Sequence, residues 1–181
     1  MTSTTGDCPI CAKHRGEGSL IGGPLIWQDD NVVVYHKPPG PTGRVFLGHL
    51  FVETRRHAPH LDQLTDAEAT TVGWAAARAA RALTLVLGPE AVFSAIVGRG
   101  VPHFHQHVFA RHPGTPRELN WMASNEWTDA PHGDAAELAE LADRLRPHFT
   151  ASGDAGQCER AGAGADVVPI GGGDAGAAGE A

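Results

Sequence analysis

Cysteine is scarce in this chain. Three cysteines in 181 residues are too few for a disulfide framework. Cys8 and Cys11 are spaced C-x-x-C and Cys158 stands alone. That pattern favours metal binding or redox chemistry over a structural bridge. Positive charge is also short. Lys and Arg total 14 against 21 Asp and Glu, a net charge of -7. Bulk attraction to a nucleic acid polymer or an anionic membrane is therefore not expected. An anionic substrate needs local positive charge, for which Arg55, Arg56, Arg99 and Arg111 are candidates. No apolar run is long enough to span a bilayer. The opening residues Met1 to Gly6 have no basic region followed by an apolar one, so a cytoplasmic location is the default expectation.

What remains is a chain of ordinary globular composition, 41% hydrophobic and 19% charged, of a length that suggests one domain. Apolar runs around Asp29-Asp30-Asn31 predict a hairpin, Leu25 to Gln28 and Val32 to His36. Val45 to Glu53 is strand-like, with Gly48 marking a bulge or the true strand start. Thr65 to Glu68 has the form of a capping box. After it Val72, Ala75, Ala76, Ala79, Leu83, Val86 and Leu87 recur at helical spacing, and Gly88-Pro89 ends the helix. Ala91 to Val97 reads as a buried strand and His103 to Ala110 as another. The segment from His112 to Gly133 is irregular, with Trp121 and Trp127 expected to pack. Asp134 to Glu137 caps a second helix bearing Leu138, Leu141 and Leu145. The order β-β-β-α-β-β-α predicts an α+β fold with a mainly antiparallel sheet. Eighteen of the 31 residues from 151 to 181 are Gly or Ala, so a disordered tail is expected there. Residues 1–150 are expected to form the domain.

The most informative segment is Val101-Pro102-His103-Phe104-His105-Gln106-His107-Val108-Phe109-Ala110-Arg111. Successive strand side chains point to opposite faces, so His103, His105 and His107 are expected to share one face. Histidine is nucleophilic when neutral and a common metal ligand. A plain alternative is three histidines on a solvated strand face.

This pattern resembles the histidine triad signature, His-φ-His-φ-His-φ-φ with φ apolar. Gly48 to His57 resembles the strand and "P-K-x-H" segment of that family. Leu64 to Glu68 resembles the start of its main helix, and Cys8-Pro9-Ile10-Cys11 the N-terminal C-x-x-C of many bacterial members. The resemblance covers about residues 8–111, leaving 112–150 as an extension with a helix. Gln106 stands for an apolar residue, Arg99 for Gln and Thr54 for Pro. The His36-Lys37-Pro38-Pro39 stretch lacks the acidic residue with which some members hold the ribose.

The resemblance implies a five-stranded, mainly antiparallel sheet with one long helix and a C-terminal helix. It also implies chemistry at the phosphorus attached to a nucleoside. His105 would be the nucleophile, forming a covalent nucleotidyl-histidine that water or another acceptor resolves. His107 would bind a phosphoryl oxygen or help the leaving group. Gly98 and Gly100 would let backbone N–H groups approach phosphate, and Arg99 would add charge. Zinc would be held by Cys8, Cys11, His57 and His103, with His49 and His60 as rival third ligands. A homodimer is implied as well. Two other functions stay open: a hydrolase whose catalytic zinc is bound by all three histidines, and a non-catalytic nucleotide-binding module.

Overall fold

The structure, a computed structural model, describes residues 8–150. The expected Gly/Ala-rich tail and Cys158 lie outside the described residues. Five strands form one antiparallel sheet: β1 (Leu25–Gln28), β2 (Val32–His36), β4 (His49–Thr54), β6 (His105–Arg111) and β5 (Ala91–Ile96), in that spatial order. The α+β class and the five-stranded antiparallel sheet agree with the expectation.

The hairpin forms where its turn chemistry places it. Asp29 Oδ1 accepts the N–H groups of Asn31 at 2.9 Å and Val32 at 2.7 Å, closing the link between β1 and β2. The long helix α2 (Asp66–Leu87) starts on the expected capping box. Thr65 Oγ1 accepts the Glu68 N–H, Glu68 accepts the Thr65 N–H, and Gly88 ends the helix at φ +59°. Val72, Ala75, Ala79, Ala82 and Leu83 are its buried stripe. They pack on Val32, Val34, Leu50, Val52 and Val108, one face of the sheet. α3 (Ala135–Leu145) starts on the Asp134–Glu137 capping box, and α4 (Pro147–Thr150) follows it. Leu141, Leu145 and Phe149 extend the same core.

Three expectations are corrected and one element is new. The segment from Val45 to Glu53 is not one strand. β3 (Val45–Phe46) pairs instead with β7 (His132–Gly133) in a second, two-stranded sheet. Gly48, at φ +98°, marks the true strand start, the second of the two alternatives expected for it, and β4 begins directly after it. Ala91 to Val97 is not buried. β5 is the sheet edge, with Ile96 and Val97 each 45% exposed. A short helix α1 (Pro9–His14) carries the C-x-x-C, capped by the Cys8 side chain. Finally, the histidine strand begins at His105, not His103. Pro102 has no N–H to give, and a turn with His103 N–H on the Val101 carbonyl breaks the strand just upstream. Only His105 and His107 therefore owe their shared face to strand alternation.

Gly48 gives a stability prediction. A Cβ there would come 2.8 Å from Leu87 Cδ1 and 3.1 Å from Ala110 Cβ, at a φ that L residues rarely adopt. Gly48→Ala is expected to cost about 2–4 kcal/mol. Gly73 is a control, with exposed helical backbone and open space around the added carbon. Gly73→Ala is expected to gain about 0.5–1 kcal/mol. Denaturant titration of both variants measures the contrast; equal midpoints would refute it.

Candidate active site and metal centre

The sheet face opposite α2 carries the candidate site. Register sets its membership, because residues paired across antiparallel strands share a face. His105 lies opposite Glu53, and His107 opposite both Phe51 and Ala95. Tyr35 lies opposite Phe51. His105 and His107 stand with ring centroids 5.3 Å apart, both half-buried.

His105 is held in one tautomer. Its Nδ1 lies 2.7 Å from the backbone carbonyl of His103. A carbonyl only accepts, so Nδ1 carries the proton and the neutral ring keeps its lone pair on Nε2. Nucleophilic attack needs that lone pair. His107 Nδ1 lies 3.0 Å from His49 Nε2. Burial, His105 and Lys37 push His107 down to about 4. Burial, Lys37, His107 and His36 push His49 down to about 2. Both rings are neutral at pH 7, so the pair shares one N–H.

Glu53 is the buried carboxylate of this face. Lys13 Nζ lies 2.5 Å from Oε1 and His14 Nε2 2.9 Å from Oε2. Burial would raise its pKa, but His14 and Lys13 outweigh burial and hold it below the usual carboxylate range. The Lys13 ammonium sits 4.6 Å from the Tyr35 ring centroid. α1 thus lies against the face that carries His105 and His107, held there by charge.

The second cluster lies beside it. Cys8, Cys11, His57 and His103 bring one donor atom each to within 4.8 Å of one another. His103 Nδ1 is 3.3 Å from Cys8 Sγ and 3.4 Å from Cys11 Sγ, and His57 Nδ1 is 3.5 Å from Cys11 Sγ. Tetrahedral zinc with Zn–S near 2.3 Å and Zn–N near 2.05 Å separates its ligands by roughly 3.3–3.8 Å. His103 Nε2 donates to the Thr54 carbonyl at 2.7 Å, which leaves the Nδ1 lone pair aimed at the sulfurs. Burial lowers His103 to about 4, so the ring is neutral, as a ligand must be. Burial and the neighbouring Cys8 push the Cys11 thiol up to about 11. A divalent cation would reverse that by stabilising the thiolate. The donor set and its spacing fit zinc. His49 and His60 are outside the cluster: His49 is engaged with His107, and His60 is exposed.

Gly98, Arg99 and Gly100 lie in the loop from β5 to β6. Ile96 pairs with Gln106, so the loop leaves the sheet at the level of His105. Gly98 has φ +61°, and the space around both glycines is open. The other arginines do structural work. Arg55 donates to the Asp29 carbonyl, Arg56 pairs with Glu68, and Arg111 donates to the Pro116 carbonyl. Trp121 packs on Phe109 and Phe93, yet stays 42% exposed. Gln106 points away from the histidines and donates to Ser94 Oγ at 2.8 Å. The sequence alone had not singled out His49 as partner of His107, nor the Lys13–Glu53–His14 group. The register that pairs them is set by backbone hydrogen bonds between distant segments.

Neither a protein-family model nor a curated protein sequence matches the chain. Solved structures do. A zinc-bound histidine triad family protein from Mycobacterium smegmatis is similar over 80% of this chain and 94% of its own, at 22% identity and a TM-score of 0.58. A Hit-like protein involved in cell-cycle regulation from Bartonella henselae is similar over 82% of this chain and 100% of its own, at 16% identity and 0.58. A hypothetical histidine triad nucleotide-binding protein from Sulfolobus tokodaii is similar over 78% and 91%, at 14% identity and 0.58. The five-stranded antiparallel sheet, with α2 across one face and the histidines on the other, is the histidine triad fold, and this chain has it.

Proposed function

We propose that this chain is a nucleotide hydrolase or nucleotidyltransferase acting at the α-phosphorus of a nucleotide conjugate. Dinucleoside polyphosphates and nucleoside phosphoramidates are the substrate types. One observation carries the proposal: the His105 ring is fixed with its proton on Nδ1 and its lone pair on Nε2. Nε2 attacks phosphorus, and a P–N bond forms as the bond to the leaving group breaks. The leaving group departs with the bonding electrons and takes a proton from solvent, and the acceptor returns one to solvent when it attacks in the second step. Water or another acceptor then attacks the same phosphorus and releases the ring. His107, neutral and braced by His49, donates its Nε2–H to a phosphoryl oxygen when His49 Nε2 supplies the shared proton. Gly98, Arg99 and Gly100 are the phosphate-side loop.

Zinc held by Cys8, Cys11, His57 and His103 is the structural cofactor of this proposal. It would tie α1 to the residues that lead into β6 and fix the His103 backbone. The carbonyl of that residue sets the His105 tautomer. A catalytic metal on the three histidines is less well supported. His103 is turned into the cysteine cluster, and among the described residues no metal-capable cluster includes His105 or His107. No helix among the described residues is long and apolar enough to cross a membrane. A cytoplasmic homodimer, pairing through α2 and a sheet edge, completes the proposal.

The test is a panel of nucleotide conjugates carrying each common base. Turnover is expected for at least one, and quenched samples should contain protein heavier by one nucleotidyl group. Binding without turnover across the panel would favour the non-catalytic module. Turnover abolished by brief chelation, with no adduct, would favour the metal hydrolase.

A further inference from the structure

Trp121 comes from the stretch after Arg111, beyond the reach of the family resemblance, yet it closes one end of the histidine face. Phe109 continues the alternation of His105 and His107, and it pairs with His49 on β4 and Phe93 on β5. These five side chains therefore share the face. Ring contacts run without a break from His107 to His49 at 5.2 Å, from His49 to Phe109 at 5.5 Å and from Phe109 to Trp121 at 6.0 Å. Phe93 adds a further contact to Trp121 at 5.6 Å. The histidine strand itself helps to place the tryptophan. Arg111, at its end, donates to the Pro116 carbonyl at 2.6 Å, and Asn120 Oδ1 accepts the Met122 N–H at 2.9 Å to start the short 3₁₀ helix over Trp121–Glu126.

Covering Phe109 explains only one side of this indole. Its plane lies 9° from that of Phe109, so one face rests on the phenyl ring and the other turns outward. Phe109 is 3% exposed, whereas Trp121 is 42% exposed and Met122 beside it 37%. A smaller aliphatic side chain would cover Phe109 and leave less apolar surface in water. The two ends of the face also differ in character. The loop Gly98–Gly100 opens at the level of His105 and carries Arg99. At the other end Phe109, Phe93 and Trp121 are uncharged, and burial, Lys37, His107 and His36 keep His49 neutral. Between the ends Ala95, opposite His107, puts only a methyl group on β5. Four residues of strand, roughly 13 Å, separate His105 from Phe109. That is the scale of a whole nucleotide rather than of a phosphate.

We propose that Trp121 is a stacking platform for a nucleobase of the substrate, held on the outward face of the indole. The platform rests on the reading that His105 attacks the α-phosphorus, and it adds where a base of the conjugate lies. Every base has a π face, so stacking on an aromatic side chain is strong yet tolerant of base identity. Two bases fit this chemistry, that of the transferred nucleotide and that of a leaving nucleotide. Both are neutral planar rings, as the uncharged end of the face requires.

Binding and kinetics on the full chain test it. AMP is expected to bind the wild type, to quench part of its tryptophan emission, and to bind Trp121→Leu roughly tenfold more weakly or worse. Ribose 5-phosphate, which has no base, should not distinguish the two proteins. Trp121→Phe, the milder change, keeps a π face and should bind AMP within about threefold of wild type, but without that quenching. In kinetics, KM should rise roughly tenfold or more in Trp121→Leu with kcat nearly unchanged, because the ring acts far from phosphorus. A rise on both a dinucleoside tetraphosphate and an adenosine phosphoramidate of an aliphatic amine assigns the transferred base. A rise on the dinucleoside alone assigns the leaving base. AMP binding that is absent, or unchanged in Trp121→Leu, or a loss that ribose 5-phosphate shares, overturns the platform even if turnover is robust. Weakened AMP binding with neither substrate turned over keeps the platform, and the failure then belongs to the reading of His105.

Discussion

His105→Ala is expected to lose at least a thousandfold in turnover, more than about 4 kcal/mol of transition-state stabilisation, and to form no nucleotidyl adduct. The fold should survive the change. His105 is half-buried on the open face of the sheet, and the core around α2 is built without it. Far-UV circular dichroism and the thermal midpoint should stay close to wild type. His107→Ala should behave differently. It removes a donor to phosphate but leaves the nucleophile, so a smaller loss of roughly a hundredfold is expected, with adduct still detectable. The pair of variants separates the two roles: turnover by His105→Ala within tenfold of wild type, or an adduct retained on it, would remove the ring from the chemistry.

Much of this arrangement was legible in the sequence because the deciding interactions are local. Asp29 closes its turn through its own neighbours, and Thr65 and Glu68 cap each other across three residues. Gly88 ends α2 because the next backbone step needs positive φ. The alternation of His105 and His107 is likewise a property of one strand. The rest depends on register between segments far apart. Nothing near His107 announces that Phe51 lies opposite it, and so nothing announces that His49 reaches its Nδ1. Glu53 meets Lys13 across forty residues, through a helix too short for periodicity to reveal. Pro102 was a signal available in the sequence: a proline before the first histidine argued against a strand running through His103. The four ligand candidates were chosen by resemblance. Their convergence depends on how α1 packs, which spacing alone does not fix.

That packing yields the second large effect. Freshly purified protein is expected to carry about one zinc per chain, and Cys8→Ser to lose it. Cys8, Ile10 and Cys11 form a small apolar cluster of their own with Leu20 and Val101, separate from the core around α2. Loss of the metal should therefore release α1 without melting the sheet. The cost exceeds the metal bond itself, because α1 carries Lys13 and His14. If it lifts away, Glu53, 2% exposed in the intact fold, loses both of its counter-charges. Breaking a buried ion pair costs at most roughly 3–5 kcal/mol here, because water reaches the carboxylate that α1 uncovers. At about 2–4 °C per kcal/mol for a domain of this size, the midpoint should fall measurably, by up to roughly 20 °C. Far-UV dichroism should stay near wild type while proteolysis near α1 accelerates. Glu53→Gln in the Cys8→Ser background should recover part of the loss, since it removes the stranded charge. Metal analysis finding no zinc in unchelated protein, or an unshifted midpoint in Cys8→Ser, would show that the cysteines do not hold α1 in place. An unshifted Glu53→Gln double variant would separate the carboxylate from the metal.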